Sequence, residues 1–287
     1  MTVNRQDIPG VTVRGRIVSV ALLALGAMQP VVVGSLPFAV MVAGVAILLS
    51  WWLRSDDASE AKDAIVLVAL LYIVGLVPGV GLWPIGPAIA ITITAIVSWR
   101  TGRLARWREW LRVGRFDGPT WVTMGAVAAV SIVALLLWQS VFNGQLPETY
   151  RALAESVPAP VAVAGALGFA IVNGAIEDSI FFGLLLTPML RYFPPRWAVV
   201  LTALAFGLAH FHGVPNGVVG VLLAGTWALM LGYLRTRTGG MLATYLAVLP
   251  TDVVDAVDGC SASDAGVGSM VIVVVQPGVV AGGSLLV

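Results

Sequence analysis

Glu177 and Asp178 stand side by side in a run from Val157 to Leu190 that carries no other charge. His210 follows in a second apolar run, from Trp197 to Phe211. An ionised carboxylate at the centre of a bilayer costs about 2.5–3.5 kcal/mol on insertion scales, so an adjacent pair needs a partner or a task. The chemistry that suits carboxylate and imidazole together is water activation: the acid takes the proton, and a neutral imidazole polarises the water or binds a divalent metal. His210 and Glu177 are the candidate metal ligands, with zinc the expected ion, although catalytic zinc sites usually show three protein ligands. Two blander readings compete. A lone histidine in a span can serve as an interhelical hydrogen-bonding group, and an intramembrane acid pair can serve as a proton relay.

The elements that must position these groups are membrane helices. Mean hydropathy is +0.94 and only 11% of residues are charged, against about 25% in soluble domains. The expected fold class is an all-α membrane protein, a polytopic bundle of about eight transmembrane helices. Spans are expected at 17–34, 36–53, 64–82, 84–99, 120–141, 158–190 (kinked or broken), 197–212, 217–234 and 241–250. With the N-terminus inside and each span crossing once, 15 of the 16 basic residues face inward and only Arg151 faces out. That asymmetry orients the chain as a multi-pass protein of the plasma (cytoplasmic) membrane.

Counted along the chain, Glu177 stands as far before Leu190 as His210 stands after Trp197. Both therefore sit roughly 20 Å from the shared inner loop. Asp252 stands equally far beyond Gly239 and reaches a similar depth if the last span inserts. Glu177 and Asp178 point about 100° apart on a helix, so at most one faces His210 directly. Phe206 lies beneath His210 on the same face, and His212 projects to nearly the opposite side.

The chain divides into N-terminal helices over 1–157, a core over 158–250 and a tail over 251–287. The inner loop at 100–118 is basic, and its Arg and Trp spacing from Arg100 to Arg115 predicts an amphipathic helix on the inner membrane interface, not a nucleic-acid contact. Membrane lipids and a membrane-associated protein or peptide substrate are the expected partners. The lone Cys260 excludes a disulfide within the chain. From Val248 onward Lys and Arg disappear, Gly, Ser and Asp interrupt a valine-rich sequence, and no fold is assigned to the tail.

The stretch Glu177-Asp178-Ser-Ile-Phe181-Phe182-Gly183 resembles the Glu-Glu-x-x-Phe-Arg-Gly motif of the CPBP intramembrane metalloproteases. That family joins the type II CAAX prenyl endopeptidases to bacteriocin-processing and immunity (Abi) proteins. Phe206-Gly-Leu-Ala-His210 resembles its second motif, Phe-x-x-x-His, and the resemblance spans about residues 158–250. It implies an eight-helix core with a conical cavity, a base at Glu177, its acidic partner at Asp178, a first imidazole at His210, and a metal-dependent endopeptidase activity. Three departures accompany it. Phe182 stands where the motif has Arg, and the later His-x-x-x-Asn aligns on Val248 and Asp252, placing a divergence of reading frame or lineage near Ala247. A carboxylate at 252 can hold water or metal but cannot donate as an amide does. The implied function is an intramembrane metal-dependent endopeptidase, with reduced activity; the alternative is a non-catalytic scaffold or immunity protein of the same fold.

Overall fold

The computed structural model describes residues 13–32, 34–53, 59–81, 83–142, 159–213 and 215–261. Its helices are α1 (Val13–Val32), α2 (Leu36–Trp52), α3 (Ser59–Val74), α4 (Ile85–Arg100), α5 (Arg108–Leu111) and α6 (Gly118–Phe142). They continue with α7 (Ala159–Glu177), α8 (Leu186–Tyr192), α9 (Pro195–Ala209), α10 (Gly217–Thr238) and α11 (Leu242–Ser261). Among the described residues there is no strand, and the protein is an all-α membrane protein. Three helical stretches, Gly118–Phe142, Leu167–Tyr192 and Gly217–Thr238, are long and apolar enough to cross a bilayer.

Local chemistry sets the helix ends. Asp117 Oδ1 accepts from the Thr120 amide at 2.8 Å and its hydroxyl at 2.6 Å, capping α6. Pro194 and Pro195 open α9, where a missing N–H costs nothing. Gly239, at φ +71°, closes α10 in the left-handed conformation that glycine tolerates.

Residues 159–192 form one helical run in which a π-helical segment, Asp178–Leu185, interrupts the α-helix and joins α7 to α8. This segment is the centre of the bundle, packed among α1, α3, α8 and α9. Phe182, Leu185, Leu186, Met189 and Phe206 are fully buried around it. Between apolar helices such packing acts through close contact more than through water exclusion. The approach of α9 to α10 is especially close: a Cβ on Gly207 would lie 2.5 Å from the Val221 carbonyl oxygen and 3.1 Å from Gly225 Cα. α11 packs on α7 and α6.

Two expectations change here. Residues 100–115 form a 3₁₀ turn (Leu104–Trp107), the single turn α5 and an extended exit, not an amphipathic helix. The reason is Asp63, buried on α3, whose carboxylate accepts from Ser98 Oγ (2.8 Å), Arg103 Nε (2.8 Å) and Trp107 Nε1 (3.0 Å). Trp107 and Trp110 consequently turn into the protein, their rings 5.3 Å apart, while Arg100, Arg108, Arg112 and Arg115 stay exposed. The extended exit is stitched to the α10–α11 turn by Arg115 N to Thr238 O and Met241 N to Arg112 O, both 3.0 Å. The last helix also runs past 250, through Pro250 to Ser261, so the first part of the expected tail is helical. Residues 262–287 lie outside the described residues, as does Arg151.

Candidate active site

Glu177 ends α7 at the junction with the π segment, and its two neighbours along the helix face, Asn173 and Phe169, recur at intervals of four. That interval stacks side chains on one side of a helix. All three line a cavity of about 170 Å³ between α6, α7, α10 and α11. His210, from the end of α9, and Asp252, from α11, line the same cavity. The groups singled out by depth in the sequence therefore meet in space, with the exception of Asp178.

The imidazole is held in one tautomer. His210 Nδ1 lies 2.9 Å from the Phe206 carbonyl oxygen, which can only accept. Nδ1 therefore carries the hydrogen, and Nε2 is left as an acceptor. The ring stacks on Phe206 at 4.4 Å, and Phe206 is itself boxed by Phe181, Phe182 and Trp227. His212 is exposed, against Phe211, and does not line the cavity.

Asp178 faces the other way. It is 2% exposed, does not line the cavity, and lies beside Thr244 with Arg235 and Asp252 within electrostatic reach. Its Oδ2 and the Nε of the buried Arg235 have no hydrogen-bond partner, so the two groups interact through space, not by direct contact of these atoms. Val248 is buried against Gly174, whose Cβ would meet the valine Cγ1 at 3.0 Å.

Sequence reasoning missed several cavity residues. Ser131, Thr251 and Trp227 line the cavity as well. Asn173 is the most telling: its Oδ1 accepts from Trp83 Nε1 at 2.7 Å, and its Nδ2 donates to Asp252 Oδ2 at 3.3 Å. A signal was present, since Asn173 is a strongly polar residue one helical turn before Glu177 in an apolar span. Trp83 carried none, because its role depends on the loop between α3 and α4.

Among the described residues no group of three or more His, Cys, Asp or Glu side chains converges closely enough to hold a metal ion. Among the described residues the cavity donors are thus short of the three protein ligands usual for catalytic zinc. They do fit a held water: a carboxylate from α7, an imidazole acceptor from the end of α9 and an amide donor line the same cavity.

Residues 159–252 match the family model described as type II CAAX prenyl endopeptidase Rce1-like. The match begins with α7 and ends on Asp252, so it continues past Ala247, where the sequence reading placed a divergence. No curated protein and no solved structure matches the chain.

Proposed function

We propose that this protein is an intramembrane endopeptidase of the CAAX-protease-like type, which hydrolyses a peptide bond of a membrane-associated protein through a water activated by Glu177 and His210. The observation that carries the reading is their meeting, with Asp252 and Asn173, on one cavity within the segment that resembles the Rce1-like endopeptidases. Water donates one hydrogen bond to the Glu177 carboxylate and one to His210 Nε2, leaving a lone pair for the scissile carbonyl carbon. As the C–O bond forms, Glu177 takes the water's proton and the carbonyl oxygen becomes an oxyanion. Collapse of the tetrahedral centre breaks the C–N bond, and Glu177 returns the proton to the leaving nitrogen. The products are a carboxylate and an amine.

Asp178 is assigned a positioning role, holding the π segment against α11. The inward-facing arginines support a plasma-membrane location with the N-terminus inside. Phe182 and Val248, in place of the motif's Arg and second His, favour slower turnover than a complete motif would give. Their burial in the core, at 1% and 2% exposure, also suits a second reading, a scaffold that keeps the fold without the chemistry.

The test is turnover of a panel of membrane-anchored fluorogenic peptides by purified protein in proteoliposomes, wild type against Glu177→Gln. Loss of a general base lowers kcat by about 10²–10⁴-fold. Equal turnover by the two proteins overturns the assignment of Glu177, and a cellular function that survives Glu177→Gln and His210→Ala favours the scaffold.

A further inference from the structure

Resting on the reading above, we propose that Asn173 is a further catalytic residue, the amide donor that stabilises the oxyanion, and that Trp83 is the positioning residue that aims it. The reaction creates negative charge on the carbonyl oxygen, and a preorganised donor at that place is commonly the largest single contribution to catalysis. The resemblance aligns the family's amide on Asp252, which is a pure acceptor when ionised. The donor must therefore come from elsewhere on the wall.

Asn173 meets the requirements. It lies one turn from Glu177 on the same face of α7, and both line the cavity with His210. Its orientation follows from chemistry, since an indole N–H can only donate and the Trp83 bond at 2.7 Å must end on Oδ1. The NH₂ group is thereby turned toward Asp252 Oδ2, at 3.3 Å. An NH₂ group has two hydrogens, and that contact engages one of them. The second is available to a substrate oxygen. Trp227, also on the cavity, carries a buried indole N–H with no hydrogen-bond partner, and it stands on α10 away from the Glu177 helix. The hydroxyls of Ser131, on α6, and Thr251, on α11, have no hydrogen-bond partner to orient them.

The experiment compares wild type, Asn173→Ala, Asn173→Asp and Trp83→Phe in the proteoliposome assay, with Glu177→Gln alongside. Asn173→Asp keeps the Trp83 bond and the side-chain shape but removes both donors, so it stands in if the alanine variant fails to fold. Loss of an oxyanion donor lowers kcat by about 10²–10³-fold, with KM unchanged. Trp83→Phe lowers kcat and not KM, by a smaller factor. Adding Asp252→Asn to Asn173→Ala restores an amide to the wall and recovers part of the lost kcat. Binding gives a second readout. A peptide phosphonate, whose tetrahedral anion resembles the oxyanion, binds Asn173→Ala more weakly than wild type, while the parent peptide binds both equally. Wild-type kcat and phosphonate affinity in both Asn173 variants, with Glu177→Gln inactive, overturn the role of Asn173 and leave the proposed function standing. Wild-type turnover by Glu177→Gln overturns the function itself.

Discussion

Gly207 sits in the second motif, three positions before His210, and the structure says what a methyl group there would do. A Cβ would lie 2.5 Å from the Val221 carbonyl oxygen, where carbon-to-oxygen contacts between packed helices run at about 3.3–3.6 Å. Gly207→Ala thus needs α9 and α10 to separate by roughly 1 Å. Both contacting atoms are constrained, one being backbone and the other a Cβ, so no rotamer change relieves the clash. Overpacking typically costs about 1–3 kcal/mol, and a clash against backbone belongs at the upper end. At about 2–4 °C per kcal/mol for larger domains, the melting temperature falls by roughly 6–12 °C. The assay is thermal unfolding in detergent followed by tryptophan fluorescence, with peptide turnover measured beside it, since His210 moves with the end of α9. Gly168→Ala and Gly125→Ala are the controls, because a Cβ at either meets nothing within 4 Å. Alanine at those helix positions is favoured by up to about 1 kcal/mol over glycine. A Gly207→Ala protein that melts with the wild type, or controls that fall as far, would refute the close-packing argument.

Asp63→Asn leaves Arg103 without its charged partner and removes one acceptor from Trp107. Removing one member of a buried pair costs about 3–5 kcal/mol, but the Arg103 side chain is 18% exposed and can reach water. The smaller cost of a lost charged hydrogen bond, about 2 kcal/mol, is therefore expected. It is read as a lower melting temperature and faster tryptic cleavage between Arg100 and Arg115; unchanged cleavage would argue against Asp63 as the organiser of that segment. At Asp117, hydrogen bonds from the Thr120 hydroxyl and then its amide hold the carboxyl below the ordinary range. A lowered native value means the cap stabilises fully above the unfolded pKa, about 3.9, and is lost as pH falls through the native one. The melting difference between wild type and Asp117→Ala should therefore be largest near neutrality and shrink toward acid. A difference that does not change with pH would show that the carboxylate is not what caps α6.

Much of the helical layout was legible because a membrane span leaves a long apolar trace, and depth counted from the connecting loops brought Glu177, His210 and Asp252 to one cavity. The arithmetic works because helices have a fixed rise and antiparallel neighbours share loops. What depth cannot give is direction. Glu177 and Asp178 are adjacent in the chain and about 100° apart on a helix, and depth alone does not say that the first faces the cavity and the second α11. The basic stretch failed for a different reason. Its Arg and Trp period suggested a surface helix, but a single carboxylate on α3 draws Arg103 and Trp107 inward. Long-range partners of that kind leave no periodic signal. Trp83 was invisible on the same ground.

The departures from the motif acquire a physical sense when the polar groups around them are followed. Phe182 is 1% exposed and lies 6.0 Å from Phe206, part of the aromatic support beneath His210. A guanidinium in that position would need acceptors among phenyl rings. The cation near Asp178 comes instead from Arg235 on α10, buried to 6% exposure. A carboxylate and a guanidinium buried apart would each carry a desolvation cost of several kcal/mol, and mutual attraction offsets part of it. Val248 packs beside Gly174, and an amide stands next to position 252 at Asn173, whose Nδ2 donates to Asp252 Oδ2. A site in decay would be expected to lose polar contacts without replacing them. Here Arg235 brings a cation near Asp178 and Asn173 an amide beside Asp252, while the second imidazole has no substitute among the residues that line the cavity; the two retained polar functions are what favours the hydrolytic reading over the scaffold.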